Sequence, residues 1–352
     1  MRPLRIALVY DVFDAFAWQT DDPPDADAEF EPWETVEALE AAFRMLGHEP
    51  VRVGNARDLL AALPTLRVDA GLSIAEGQQG MNREGHAPTL FELAGVPFLG
   101  SDALTLSLSL DKAWTNDVVS AAGVRVPARR SYASADEVDE HDLPPFPLFV
   151  KPRFEGSAKG ITFASKVHTA ETLRAEVARC VGLYRQAAFV EAFVEGAEFT
   201  VAVAGHDPPR ALPVLQRAVE AETGIGLHAL EPRGGPRSES RGGRRHDPAG
   251  RGPGVSAPGD LAYRLDRALT PALEARLHAD ALTAFAALRC LDFARFDFRV
   301  ARDGTPFFLE ANPLPTFAPD GTFAIVAELL GRSYPDFLAG VLGEALRRLG
   351  LG

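Results

Sequence analysis

The first hundred residues alternate short, unbroken apolar runs with stretches of helical period. Arg5-Ile-Ala-Leu-Val-Tyr10 reads as a strand covered on both faces. Residues 34–46 place Val36, Leu39, Phe43 and Leu46 on one helical face and stop at Gly47, a C-cap signal. Pro50–Gly54 and Asp69–Ile74 are further strands with a short helix at 58–63 between them, and a helix at 88–93 leads to a strand over 96–101. This alternation predicts a doubly wound α/β lobe whose loops gather at the strand C-ends. Between Asp11 and Pro32 the chain is a polar loop rich in proline and aspartate.

The pattern changes after residue 124. Leu148-Phe-Val-Lys-Pro152 is a strand carrying Lys151, followed by the glycine-bearing loop Phe154-Glu-Gly-Ser-Ala-Lys-Gly-Ile161, whose backbone N–H groups can wrap an anion. An amphipathic helix over 170–186, strands over 188–194 and 195–203, and a strand at 212–216 come next. Residues 232–254 then hold six arginines and four prolines, with Ala249 the lone apolar side chain, so the block reads as disordered. Helical period returns over 265–288, with Thr270 as N-cap and Pro271 at the first helical position, and closing helices fall at 324–330 and 335–348.

Between those helices lies a hairpin, Phe293–Ala301 and Thr305–Asn312, with Asp303-Gly304 as its turn signal. A two-residue loop pairs Arg302 with Thr305, which sets Asp297 against Glu310 and Arg295 against Asn312 on one face. Phe296, Phe298, Phe307 and Leu309 then point to the core. Two opposed carboxylates repel unless the face is solvated or a cation lies between them. With Asn312 and an arginine beside them they form a set of hard oxygen donors, and the expectation is a Mg²⁺–nucleotide site.

Composition narrows the classes. The 352 residues require more than one core, and a formal net charge of −13 argues against a nucleic-acid binder. Two cysteines, Cys180 and Cys290, leave no disulfide framework, and no apolar run suits a signal peptide or membrane span, so a cytoplasmic protein is expected. Lysine occurs at 112, 151, 159 and 166 only, while arginine carries the remaining basic charge, which marks those four as places that call for a compact ammonium.

Ala294-Arg-Phe-Asp-Phe298 followed by Phe308-Leu-Glu-Ala-Asn-Pro-Leu-Pro315 resembles the metal-binding motif of ATP-grasp ligases, in particular the D-alanine–D-alanine ligases. Val150-Lys-Pro152 with the 155–160 loop, and Asp111-Lys112 after a Gly-Ser turn, resemble the same family. The resemblance implies a three-lobed ATP-grasp fold with boundaries at 1–105, 106–192 and 193–352, the last interrupted by an insert at 232–254. It implies ATP and two Mg²⁺ ions, with Mn²⁺ as alternative, the metals on Asp297, Glu310 and Asn312, and Arg295 on the transferring phosphate. Lys112 and Lys151 would reach the phosphates, Ser157 the substrate–phosphate junction, Glu191, Ala192, Phe193 and Val194 the adenine, and Glu198 the ribose. The implied reaction joins two amino acids, D-alanine by default, through an acyl phosphate for peptidoglycan precursors, in a chain expected as a homodimer; a ligase for other amino acids and an inactive nucleotide-binding module are the alternatives.

Departures from the family's pattern cluster in substrate-binding parts. Its Gly-Gly-x-Ser-x-Glu opening is missing, with Glu29 or Glu34 as replacements, and Ser73–Gly77 stands in place of its histidine-glycine. Ala158 and Lys159 occupy lid positions that are usually a serine and a small residue. The Lys-Tyr pair of its mobile loop is absent, leaving Glu222–His228 as nearest candidate, and a serine for the second substrate falls near Gly321 and Thr322.

Overall fold

A computed structural model describes residues 2–230, 262–266 and 268–352; the arginine–glycine block lies outside them. The N-terminal part runs β1 (Arg5–Tyr10), α1 (Trp33–Met45), β2 (Glu49–Gly54), α2 (Ala56–Ala62), β3 (Ala70–Ile74), α3 (His86–Ala94) and β4 (Phe98–Leu99). Its four strands are parallel in the order β2-β1-β3-β4, so the expected strand–helix alternation forms the expected sheet. The segment from 11 to 32 is not simply a solvated loop. Val12 bridges to Glu31, and Asp27 and Glu29 are buried.

Helices α4 (Ala103–Leu110) and α5 (Lys112–Ala121) lead into a second sheet of β5 (Arg129–Tyr132), β6 (Leu148–Pro152), β7 (Lys166–Val167) and β8 (Ala188–Ala192), with strand order β5-β8-β6-β7 and helix α6 (Ala170–Tyr184) between β7 and β8 in the chain. Asp111 caps α5 and also receives Arg153, which ties the two segments together. Leu173, Val177 and Cys180 of α6 are buried against this sheet, as their helical spacing predicts.

The third sheet contains β9 (Gly196–Ala204), β10 (Arg210–Ala211) and β11 (Leu215–Arg217). After it come a small ribbon of β12 (Val219–Glu220), α7 (Leu227–Leu230) and β13 (Tyr263–Arg264), and then α8 (Pro271–Ala287). β14 (Phe293–Ala301) and β15 (Pro306–Asn312) complete it in the antiparallel order β10-β9-β14-β15, with β11 also on β9. The strand expected at 212–216 is shorter and shifted, and the helix expected from 265 begins only at Pro271, where Thr270 accepts from the Leu273 N–H. Closing helices α9 (Thr322–Leu329) and α10 (Tyr334–Arg348) do not pack on the third sheet alone. Phe323, Leu338 and Leu342 share one core with Ile6, Leu8, Phe43 and Leu72 of the first.

The hairpin departs from the expected turn in an informative way. The loop has three residues, 302–304: Ala301 donates to Thr305 O at 2.9 Å, and Gly304 takes φ +92°, a left-handed conformation suited to glycine. Phe298 therefore faces Phe308, and a bulge between Asp297 and Phe298 inserts one extra residue on β15. Beyond it the partners are Asp297 with Glu310 and Arg295 with Asn312, as expected. The core assignment is corrected at two positions. Phe308, not Phe307, is buried, and the bulge turns Leu309 away from the core to the same cavity that Glu310 lines.

Candidate active site

Strand β14 lies between β9 and β15, so its alternate side chains are displayed at the centre of a sheet. Asp297 Oδ1 accepts from Thr200 Oγ1 at 2.6 Å, and Asp297 Oδ2 accepts from Arg295 Nε at 3.1 Å. Arg295 Nη2 also lies 3.7 Å from Glu310 Oε1, so a guanidinium stands between the opposed carboxylates and offsets their repulsion. Burial works against the charge on Arg295, but Asp297 and Glu310 more than compensate and raise its pKa. Asn312 faces Arg295 in register, and its Oδ1 accepts the Leu314 N–H at 3.0 Å.

The loop expected to close on phosphates is built from an unusual backbone. Ser157 and Ala158 adopt φ values of +47° and +59°, a left-handed pair without a glycine, each costing on the order of 1–2 kcal/mol. Charged contacts to the connections of the N-terminal part hold that shape. Glu29 accepts from the Gly156 N–H at 2.5 Å, from Arg83 Nη2 at 2.8 and 2.9 Å, and from Lys159 Nζ at 3.2 Å. Lys159 also lies 2.5 Å from Glu155, and Arg83 reaches Phe154 O at 2.8 Å. Of the two glutamates that could replace the family's missing one, it is Glu29 that enters the interior, and Lys159 is its partner. Lys112 donates to the carbonyl of Glu155, and burial lowers its pKa.

The opposite end of the cavity is apolar. Phe149, Phe193, Ile161, Ile225 and Leu309 line it. Lys151 Nζ pairs with Glu191 Oε1 at 2.7 Å with both groups buried, while Glu191 Oε2 is buried with no hydrogen-bond partner. Glu198, buried on β9, accepts from Arg299 Nη2 at 3.0 Å. Arg299 stands two residues beyond Asp297 on the same face of β14, and the period-two pattern already pointed to it, although sequence reasoning passed over it.

Of the residues the resemblance assigns to nucleotide, phosphate and metal, all except Asn312 line this one cavity: Lys112, Lys151, Ser157, Glu191, Ala192, Phe193, Val194, Glu198, Arg295, Asp297 and Glu310. Sequence reasoning missed Arg83, Thr200 and Arg299. Arg83 carried no signal, because its partner Glu29 lies 54 residues away. The cysteines behave as expected of buried, inert thiols, with burial pushing both up to about 12.

Comparison with known proteins places the chain in a family. The family described as D-ala D-ala ligase C-terminus matches residues 125–225 and 257–343. A D-alanine–D-alanine ligase of Anaeromyxobacter sp. is 30% identical over 87% of this chain and 89% of its own length. An uncharacterized Sinorhizobium fredii protein, y4sG, is 29% identical over 98% of each chain. Among solved structures, the VanG D-Ala:D-Ser ligase of Enterococcus faecalis superposes with a TM-score of 0.70 at 20% identity, covering 98% of this chain and 100% of its own. The D-alanine–D-alanine ligase of Bacillus anthracis complexed with ATP gives 0.67 at 19%, covering 98% and 97%. The fold is therefore ATP-grasp, and the chain belongs to the D-alanine–D-alanine ligase family of ATP-dependent ligases.

Proposed function

We propose that the chain is an ATP- and Mg²⁺-dependent carboxylate–amine ligase that joins two D-alanine molecules for peptidoglycan precursors. One observation carries the reading. A single cavity holds the opposed pair Asp297 and Glu310 with Arg295 at one end, and an apolar slot with the orphaned Glu191 oxygen at the other. That is the layout a nucleoside triphosphate needs, with a base amine to satisfy Glu191 and charge at the far end.

The donor set fits magnesium. Asp297 and Glu310 offer carboxylate oxygens, and the Asn312 carbonyl keeps a second lone pair beyond the one used by Leu314. These three would hold the ions, which when bound neutralise charge on the transferring phosphate. The chain's own residues do the rest. Lys112 and Lys151 face the phosphates from the lid side, and Arg295 offers its guanidinium to the charge that develops on the transferring phosphoryl group. A carboxylate oxygen of the first D-alanine attacks the γ-phosphorus and ADP leaves. The amine of the second then attacks the carbonyl carbon of the acyl phosphate, loses a proton, and expels phosphate. The lid loop bearing Ser157, pinned by Glu29, excludes water from that intermediate.

Amino-acid-stimulated phosphate release on the purified full chain tests the reading. Release that rises with D-alanine in the presence of Mg²⁺ is expected. Nucleotide binding without stimulated release by D-alanine would reduce the chain to a nucleotide-binding module.

A further inference from the structure

We propose that residues 12–31 form a latch that clasps the lid loop over the cavity and gates the passage of nucleotide in and out. The proposal rests on the nucleotide-binding reading above and adds to it a moving part and the groups that hold it shut.

The segment is built as one body. Its ends meet, because the Phe13 N–H donates to Glu31 O at 3.2 Å and the Glu31 N–H donates to Asp11 O at 2.9 Å. Between them Phe16 packs against Trp18 and Phe30, with ring centroids 4.8 and 5.0 Å apart. Phe16 and Phe30 are buried, yet among the described residues neither belongs to the apolar cores built on the three sheets. A loop with closed ends and its own packing swings about its base without unfolding.

Carboxylates spaced four residues apart carry this body onto the lid. Asp21 pairs with Arg185 at the end of α6. Asp25 Oδ2 accepts the Gly160 N–H at 2.8 Å, and Tyr184 Oη donates to Asp25 Oδ1 at 2.8 Å. Glu29 Oε1 accepts the Gly156 N–H at 2.5 Å, and Lys159 Nζ reaches Glu29 Oε2 at 3.2 Å. The contacts at Gly156 and Gly160 therefore bracket Ser157, Ala158 and Lys159, the lid residues that line the cavity.

The bracketed residues need that grip. Ser157 and Ala158 both sit in left-handed backbone, which neither side chain favours, so the loop does not keep this shape unaided. One swing of the latch frees both flanks of the loop together. Directional polar contacts of this kind break and reform while each body keeps its own packing. Asp25 spends its oxygens on the lid itself, on a backbone N–H and a phenol, so it acts on opening and not on affinity.

Stopped-flow binding of a fluorescent ATP analogue to the full chain tests this, comparing wild type with Asp25→Ala and Tyr184→Phe. The two variants loosen the clasp from opposite sides, and Tyr184→Phe keeps the ring beside Gly160. A gate multiplies entry and exit by the same open fraction, so it changes both rates and leaves their ratio alone. Each variant should raise the association and dissociation rates by about tenfold, the scale of one hydrogen bond to a charged group, with Kd nearly unchanged. Wild-type rates in both variants would overturn the latch while leaving the nucleotide site intact. Faster exit alone, with a matching loss of affinity, would also overturn it by making Asp25 a binding group. A wild-type chain that binds no ATP analogue would overturn the nucleotide reading, and this inference with it.

Discussion

Lys159 of the lid loop is paired with Glu29 at 3.2 Å, across 130 residues of sequence. The same carboxylate takes Arg83 and the Gly156 N–H, so its oxygens are saturated by donors from two segments. Nearby, Asp25 accepts from the Gly160 N–H at 2.8 Å and from Tyr184 Oη, and Asp21 pairs with Arg185. One acidic stretch of the N-terminal part thus fastens the lid loop and the end of α6.

The first prediction contrasts two of these fastenings. Removing one partner of a buried pair strands the other, at a cost of about 3–5 kcal/mol. Glu29→Ala should lower stability on that scale in urea unfolding. Asp21→Ala breaks a pair whose side chains are 63% and 68% exposed, and should leave stability nearly unchanged. Equal effects from the two variants would contradict the buried network.

pH dependence gives a second prediction, with opposite signs at two glutamates. Burial alone would raise Glu29, but Arg83, Lys159 and the Gly156 N–H bring it down from 4.5 to about 2. A depressed carboxylate contributes stability that is present above its unfolded value and is lost as pH falls through the folded one. Glu29→Gln should therefore lose the part of the acid lability that falls between about pH 4.5 and 2. Burial raises Glu84 to about 7 despite Arg83, so the folded chain holds the extra proton and loses stability as pH rises from 4.5 to about 7. Glu84→Gln should flatten that slope; a slope unchanged from wild type would count against the assignment.

What could be read from the sequence follows from which forces are local. The alternation of β14 and β15 fixed Asp297 against Glu310 because one face is core and the other is cavity. The expected turn differs from the observed one because Asp303-Gly304 suits two-residue and three-residue loops alike, and only the bulge restores the register at Asp297 and Glu310. Phe308 and Leu309 exchanged roles for the same reason. Lys159 was visible as an odd residue in a lid loop, but its reason, Glu29, lies on a segment whose polar composition suggests solvent. The shared core of α9 and α10 with the first sheet is a long-range packing choice that helical period alone does not specify.

A third prediction concerns the carboxylate face. Asp297→Asn and Glu310→Gln should each abolish Mg²⁺-dependent turnover while the chain remains folded. Because Arg295 already stands between the two groups, neither variant should gain more than about 1 kcal/mol of stability from relieved repulsion. Wild-type ligation rates in both would mean that the face is merely solvated.

A fourth addresses the two lysines proposed to face the phosphates. Lys112→Met should weaken ATP binding more than D-alanine binding, since an ammonium beside a phosphate makes charge-assisted bonds that a thioether lacks. Lys151→Met also strands the buried Glu191, so pairing it with Glu191→Gln separates loss of stability from loss of nucleotide affinity. Unchanged nucleotide affinity in calorimetry for both lysines would remove them from the phosphate site.

The central claim is that a substrate carboxylate is phosphorylated before the amide bond forms. D-alanine labelled with heavy oxygen in its carboxylate, incubated with the full chain, ATP and Mg²⁺, tests it in one measurement by mass spectrometry of the released phosphate. The account predicts one labelled oxygen in each phosphate formed with dipeptide. Phosphate released without label, or ATP bound with no dipeptide, would contradict it.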